Sequence, residues 1–179
     1  SSEPGERASR SIYLFDREGG KLVRRIGGLS YNLLKLAYSK DGNFLLAGMQ
    51  SNGGIRIYRT SDYSLAVEDR DYGDAFHGGD FDGNGRLVTT SKDGFIRLYG
   101  SDFKLITKKK APDGFRPNSV CFSPDGSSIA ATFYNMTFLN GKLDVLSGKD
   151  LSHQYSPDVR GFAKGYFGAV CWSTDGKFL

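Results

Sequence analysis

Cysteine, histidine, methionine and tryptophan are all scarce in this chain: two each of Cys, Met and His, and a single Trp, in 179 residues. Two cysteines, Cys121 and Cys171, cannot build the disulfide framework of a small secreted scaffold. The two histidines, His77 and His153, stand far apart with no adjacent Cys, His or Glu cluster, so the spacing of a metal site is missing. Only five prolines accompany 24 glycines, without collagen periodicity. No segment approaches the roughly 20 consecutive apolar residues of a membrane span. The glycine content and the lack of sustained heptads exclude a coiled coil. Ser1 to Arg10 is polar and charged, without the apolar stretch of a secretory leader, and reads as a disordered segment.

An excess of one charge sign is also missing. Lys and Arg number 24 against 20 Asp and Glu, a net charge of +4. Both signs alternate along the chain, and the longest run is Lys108-Lys109-Lys110. A nucleic-acid surface needs basic residues clustered on one face, so no nucleic-acid partner is expected, and no membrane partner. Two unpaired thiols and no leader lead to an expected cytoplasmic location.

What the chain does have is aromatic residues, 13% of the total, and internal repetition. Four segments align: Tyr38-Ser39-Lys40-Asp41-Gly42, Phe81-Asp82-Gly83-Asn84-Gly85, Phe122-Ser123-Pro124-Asp125-Gly126 and Trp172-Ser173-Thr174-Asp175-Gly176. Each places an aromatic four residues before a glycine, and the aromatics are 43, 41 and 50 residues apart. A second motif recurs between them: Ile12-Tyr13-Leu14-Phe15, Ile55-Arg56-Ile57-Tyr58, Ile96-Arg97-Leu98-Tyr99 and Leu143-Asp144-Val145-Leu146. Turn-forming residues follow each one, and then another apolar run. One unit thus holds four short strands joined by Gly, Asp, Asn and Ser turns, which indicates an all-β protein. A period of about 40–45 residues with four strands per unit is that of a propeller blade.

At this point the chain resembles the WD-repeat β-propeller family. The best-matching pieces are Phe122-Ser123-Pro124-Asp125-Gly126 and Ser91-Lys92-Asp93-Gly94-Phe95-Ile96-Arg97-Leu98-Tyr99. The resemblance extends over about residues 11–179 and implies antiparallel four-stranded blades, about four in this chain. It divides the chain into a half blade at 11–27, full blades at 31–69, 74–110 and 115–155, and a half blade at 166–179. The family's Trp-Asp pair is replaced by Phe15-Asp16, Tyr58-Arg59, Tyr99-Gly100 and Leu146-Ser147, and its Gly-His pair is missing from every unit. The buried His-Asp relay of well-matched repeats is therefore incomplete here.

The family's layout implies innermost strands at 33–38, 76–81, 117–122 and 167–172. It places the loops near 48–54, 90–94 and 132–141 on the mouth face, with the connections near 27–32, 70–76, 110–117 and 156–167. On that face it points to Tyr31, Tyr72, Lys92, Arg116, Tyr134 and Phe167 as protein-binding residues. Met136 and Phe138, on a long hairpin, and the partly aromatic Ser156–Tyr166 connection join them. Cys121 and Cys171 fall at equivalent positions of different blades, where inner strands share no ladder, so two buried free thiols are expected.

One motif carries metal chemistry. Asp80-Phe81-Asp82-Gly83-Asn84-Gly85 matches the start of a calcium loop, but its ninth and twelfth positions are Val88 and Ser91. The same residues fall in register with the Ser-Pro-Asp-Gly hairpin, so the expectation is a structural turn and no cofactor. No Gly-x-Ser-x-Gly elbow or phosphate-cradling glycine loop is present. The function expected is a non-catalytic scaffold that binds a protein on its mouth face. The rival readings are a hydrolase- or lactonase-type propeller with a channel ligand or metal, and a sensory module. A chain of about four units leaves three ways to complete a ring: a four-bladed disc, a homo-oligomer, or a longer propeller of which this is one part.

Overall fold

The repeated turns are built by their own side chains. In Ser39-Lys40-Asp41-Gly42 the Ser39 hydroxyl donates to Asp41 Oδ1 at 2.5 Å and accepts the Phe44 N–H at 2.9 Å. Gly42, at φ 75°, closes the reversal in a left-handed conformation that a side chain would strain. Ser123 and Ser173 repeat the arrangement with Asp125 at 2.6 Å and Asp175 at 2.7 Å. Each such turn sends the chain back antiparallel, and the apolar runs on either side pair.

The computed structural model describes residues 10–160 and 165–179. Its strands are β1 (Arg10–Phe15), β2 (Leu22–Leu29), β3 (Leu33–Tyr38), β4 (Phe44–Met49), β5 (Ile55–Arg59), β6 (Leu65–Asp69) and β7 (Phe76–Phe81). They continue as β8 (Leu87–Ser91), β9 (Phe95–Tyr99), β10 (Leu105–Lys110), β11 (Arg116–Phe122), β12 (Ser128–Asn135), β13 (Asn140–Ser147) and β14 (His153–Tyr155). They form one two-stranded sheet, β1-β2, and three four-stranded sheets, β3 to β6, β7 to β10 and β11 to β14, each in chain order and antiparallel throughout. The fold is all-β: among the described residues the only helical element is the 3-10 turn Ser51–Gly53. No helix of the described residues is long and apolar enough to cross a membrane.

The sheets bury their faces against one another, so their middle strands are buried on both sides. All five residues of β8 are buried, and β12 is buried over most of its length. Val88, Ile96 and Leu98 meet Val120, Ile129 and Phe133 between the third and fourth sheets. Leu46, Ile55 and Ile57 meet Phe76, Phe81 and Tyr99 between the second and third. Ile12 and Leu29 of the hairpin pack with Leu45, Ala47 and Tyr58. Gly48 lets the second contact close, since a Cβ there would lie 2.3 Å from Phe76 Cδ1. One face of β3 stays open, with Leu34, Leu36 and Tyr38 50%, 45% and 51% exposed, and Tyr13, Phe15 and Leu22 of the hairpin are exposed as well.

One expectation needs correction here. Residues 167–172 form no strand among the described residues, although the Ser173–Phe178 turn beyond them is present, with Ser173 N–H donating to Phe178 O at 2.9 Å. Instead of pairing in a sheet, this segment is pinned to β11: Asn118 Nδ2 donates to the Phe167 carbonyl at 2.9 Å, and the Val170 N–H donates to Ser119 Oγ at 3.3 Å. Of the segment expected to be disordered, Ser1–Ser9 lies outside the described residues, and Arg10 begins β1.

Candidate functional site

Two turns and one strand pair bring three of the expected binding residues together. Arg116 opens β11 and faces Tyr134 of β12 across the ladder. Lys92 sits on the β8–β9 turn, its N–H held by the Ala75 carbonyl at 2.8 Å. Between them opens a cleft of about 620 Å³ lined by Lys92, Gly114, Phe115, Arg116, Tyr134, Asn135, Met136 and Thr137. The long β12–β13 hairpin forms one wall. Asn135 Oδ1 accepts the N–H groups of Thr137 (2.8 Å) and Phe138 (3.0 Å), which fixes the turn and leaves Met136 (66%) and Phe138 (73%) exposed. Tyr134 stands between two other rings, with centroids 6.0 Å from His77 and 6.0 Å from Tyr166. His77 is fixed in turn by the Pro117 carbonyl, 3.1 Å from Nδ1.

The other three expected residues lie elsewhere. Tyr31 is half-buried against Gly53, where a Cβ would come within 2.7 Å of its ring. Phe167 lines a separate, more apolar groove of about 490 Å³ with Leu143, Val159 and Val170. Gly161–Lys164 of the Ser156–Tyr166 connection lie outside the described residues. Tyr72 is a correction: it is 2% exposed, so its side chain belongs to the core rather than to a binding surface. Phe115 and Gly114 escaped the sequence reading, because a loop residue next to a strand carries no periodic signal.

Tyr72 belongs to a buried polar network at the junction of the second and third sheets, where the resemblance left the relay incomplete. Its hydroxyl bonds Thr89 Oγ1 at 2.7 Å and the Tyr99 hydroxyl at 2.9 Å, and Tyr99 donates to Asp69 Oδ2 at 2.8 Å. Arg97, 2% exposed, lies 4.1 Å from the Tyr72 ring centroid and pairs with Asp93 at 2.6 Å. It also donates to Ser91 Oγ at 2.9 Å and to the Asp71 carbonyl. Burial pushes both phenols well above the usual range, and for Tyr99 the neighbouring Tyr72 and Asp69 add to it. Burial works against the ionised Asp93, but Arg97, Ser91 and the Gly73 N–H outweigh it and hold the carboxyl below its ordinary value.

The calcium-like loop is committed to structure. Asp82 stands where Ser39 and Ser123 stand in the other turns, and its side chain is fully buried. Its Oδ1 accepts the N–H groups of Asn84 (2.9 Å) and Arg86 (2.8 Å), and its Oδ2 takes Arg86 Nε at 2.7 Å. Arg86 then reaches the carbonyls of Gly126 (2.7 Å) and Gly148 (2.5 Å), tying the third sheet to turns of the fourth. Asp80 Oδ2 accepts the Phe122 N–H at 2.9 Å. Among the described residues no group of three or more His, Cys, Asp or Glu converges. Both cysteines are free, but Cys121 is only partly buried and Cys171 is exposed, which corrects the expectation of two buried thiols. Burial, with the charges of Asp80 and Cys171, pushes the Cys121 thiol up to about 12.

No protein-family model matches the chain, and comparison with curated proteins finds no match.

Proposed function

We propose that the chain is a WD-repeat-like β-propeller array whose role is non-catalytic protein binding, with the cleft between Lys92, Arg116 and Tyr134 as the binding site. The observation that carries this reading is the meeting of those three residues around one cleft, beside exposed Met136 and Phe138. Strand ends and the β12–β13 turn hold aromatic, Met and Arg side chains there, the residue types that dominate interface energetics. Stacked antiparallel four-stranded sheets and recurring Ser-x-Asp-Gly turns support the propeller reading. In that reading the exposed apolar side of β3 is a seam covered when the ring is completed, by a second copy or by further blades of the same ring.

The test is differential capture from a cell extract. Wild-type protein is compared with Lys92→Ala/Arg116→Ala/Tyr134→Ala and with a control bearing Lys21→Ala and Lys104→Ala, remote exposed positions. The expected result is a partner retained by wild type and control, lost by the cleft variant, and bound directly once purified. Retention by the cleft variant contradicts the assignment of the site. Light scattering on the intact protein tests the seam, which a second copy covers only if the mass is a multiple of 19.7 kDa.

A further inference from the structure

The chemistry of the cleft says what kind of partner fits it. Its lining contains two cations and no carboxylate. Arg116 is exposed, and its guanidinium has no ion pair or hydrogen bond to any described residue. Lys92 has only a loose contact, 3.8 Å from Asp74, with both side chains largely in solvent (43% and 40%). Asn135 Oδ1 is taken by two backbone N–H groups, which leaves Nδ2 as a donor without an acceptor among the described residues. The charged and amide side-chain groups presented to a ligand are therefore donors, and the charge balance of the lining is positive. The carboxylates nearest in sequence, Asp74, Asp93 and Asp113, lie outside the lining, and Asp93 is committed to buried Arg97.

The rest of the cleft is apolar and aromatic. Phe115 forms part of it while packing on the core below, Tyr134 is held between two rings, and exposed Met136 offers an adaptable thioether. The two cations come from different sheets, Lys92 from the β8–β9 turn and Arg116 from β11, and the lining holds no third. Two basic residues of β10 are committed elsewhere: Lys108 to Asp71 at 2.9 Å and Lys109 to the Leu151 carbonyl at 3.0 Å. That pattern is unlike the clustered basic face that follows a phosphate backbone. It suits a short chain that carries carboxylates at its flanks and a large apolar side chain between them.

We infer that the cleft binds an acidic, extended peptide segment, its carboxylates on Lys92 and Arg116 and an apolar side chain against Tyr134 and Met136. The inference rests on the reading of the cleft as a protein-binding site and deepens it by naming the partner's chemistry.

Fluorescence anisotropy on the full chain tests it. The probes are labelled short peptides with the same central Leu-Phe pair, flanked by Asp and Glu, by Ser and Gly, or by Lys and Arg. The acidic peptide is expected to bind best and to weaken as salt rises. Lys92→Glu/Arg116→Glu should weaken it by about tenfold or more, the scale of charge pairs across an interface. Tyr134→Ala should weaken it without changing charge, and Lys21→Glu/Lys104→Glu, matched in net charge, should not. Equal binding of the three peptides, indifference to the charge reversal, or displacement by inorganic phosphate or by an oligonucleotide of equal charge overturns the inference. If the neutral peptide binds and only Tyr134→Ala affects it, the acidic assignment falls and the binding site stands. If the cleft variants change neither peptide binding nor partner capture, both fall.

Discussion

Removing the Asp93 carboxylate should destabilise the protein more than almost any other single change near its surface. Asp93 lies on a turn, yet its side chain is only 9% exposed, and its partner Arg97 is 2% exposed. In Asp93→Ala, Arg97 keeps the Ser91 hydroxyl, the Asp71 carbonyl and the face of Tyr72, but no anion. A buried charge stripped of its partner costs about 3–5 kcal/mol. Against a total stability of about 5–15 kcal/mol for a domain, that is about a fifth or more. With roughly 2–4 °C per kcal/mol for a chain of this size, the melting temperature should fall by about 6–20 °C. Circular dichroism during thermal and urea unfolding measures it. The reasoning also predicts a sign reversal: Arg97→Met/Asp93→Asn, which removes both charges and keeps the turn's acceptor, should recover most of the loss. A loss below about 1 kcal/mol for Asp93→Ala, or a double variant no better than the single one, would refute the account of this pair.

Three further outcomes follow from the packing and the titrating groups. Gly48→Ala places a methyl 2.3 Å from the Phe76 ring, so a loss of about 1–3 kcal/mol in urea unfolding is expected, partly restored by Phe76→Leu in the same background. For Tyr72 and Tyr99 the folded phenol values lie above the unfolded value near 10, so their contribution to stability is complete below about pH 10 and is lost as pH climbs. In an absorbance titration of the ten tyrosines these two should ionise only with alkaline unfolding, and titration of all ten in one step near pH 10 would contradict the network. In a thiol-reagent assay Cys171 should react promptly and Cys121 only on unfolding, and equal rates would show that Cys121 is not sheltered.

The strands were legible because the turns between them repeat. Ser39, Ser123 and Ser173 each bond an aspartate two residues on, and that geometry is a local property of four residues. The calcium-like match at Asp82 arose from the same register, and it took the contacts of Arg86 with the next sheet's turns to show how those carboxylate oxygens are used. Lys92, Arg116 and Tyr134 could be assigned to one face because each occupies a turn or strand end fixed by the repeat, and the structure brings them around one cleft. Tyr72 was misjudged for the opposite reason. It lies in a connection that looks exposed by position, and only the long-range bonds to Thr89 and Tyr99 draw it inside. Residues 167–172 read as a strand from their resemblance to the other units, but pairing needs a neighbouring strand, and here the backbone is held by Asn118 and Ser119 instead.

The most direct test of the central claim is amide hydrogen exchange on the full chain with and without the acidic peptide. Slowed exchange is predicted at residues 114–116 and 134–137, with no change at the turns around Gly42 and Gly126. Protection at those turns, or an unaltered cleft under saturating peptide, would contradict it.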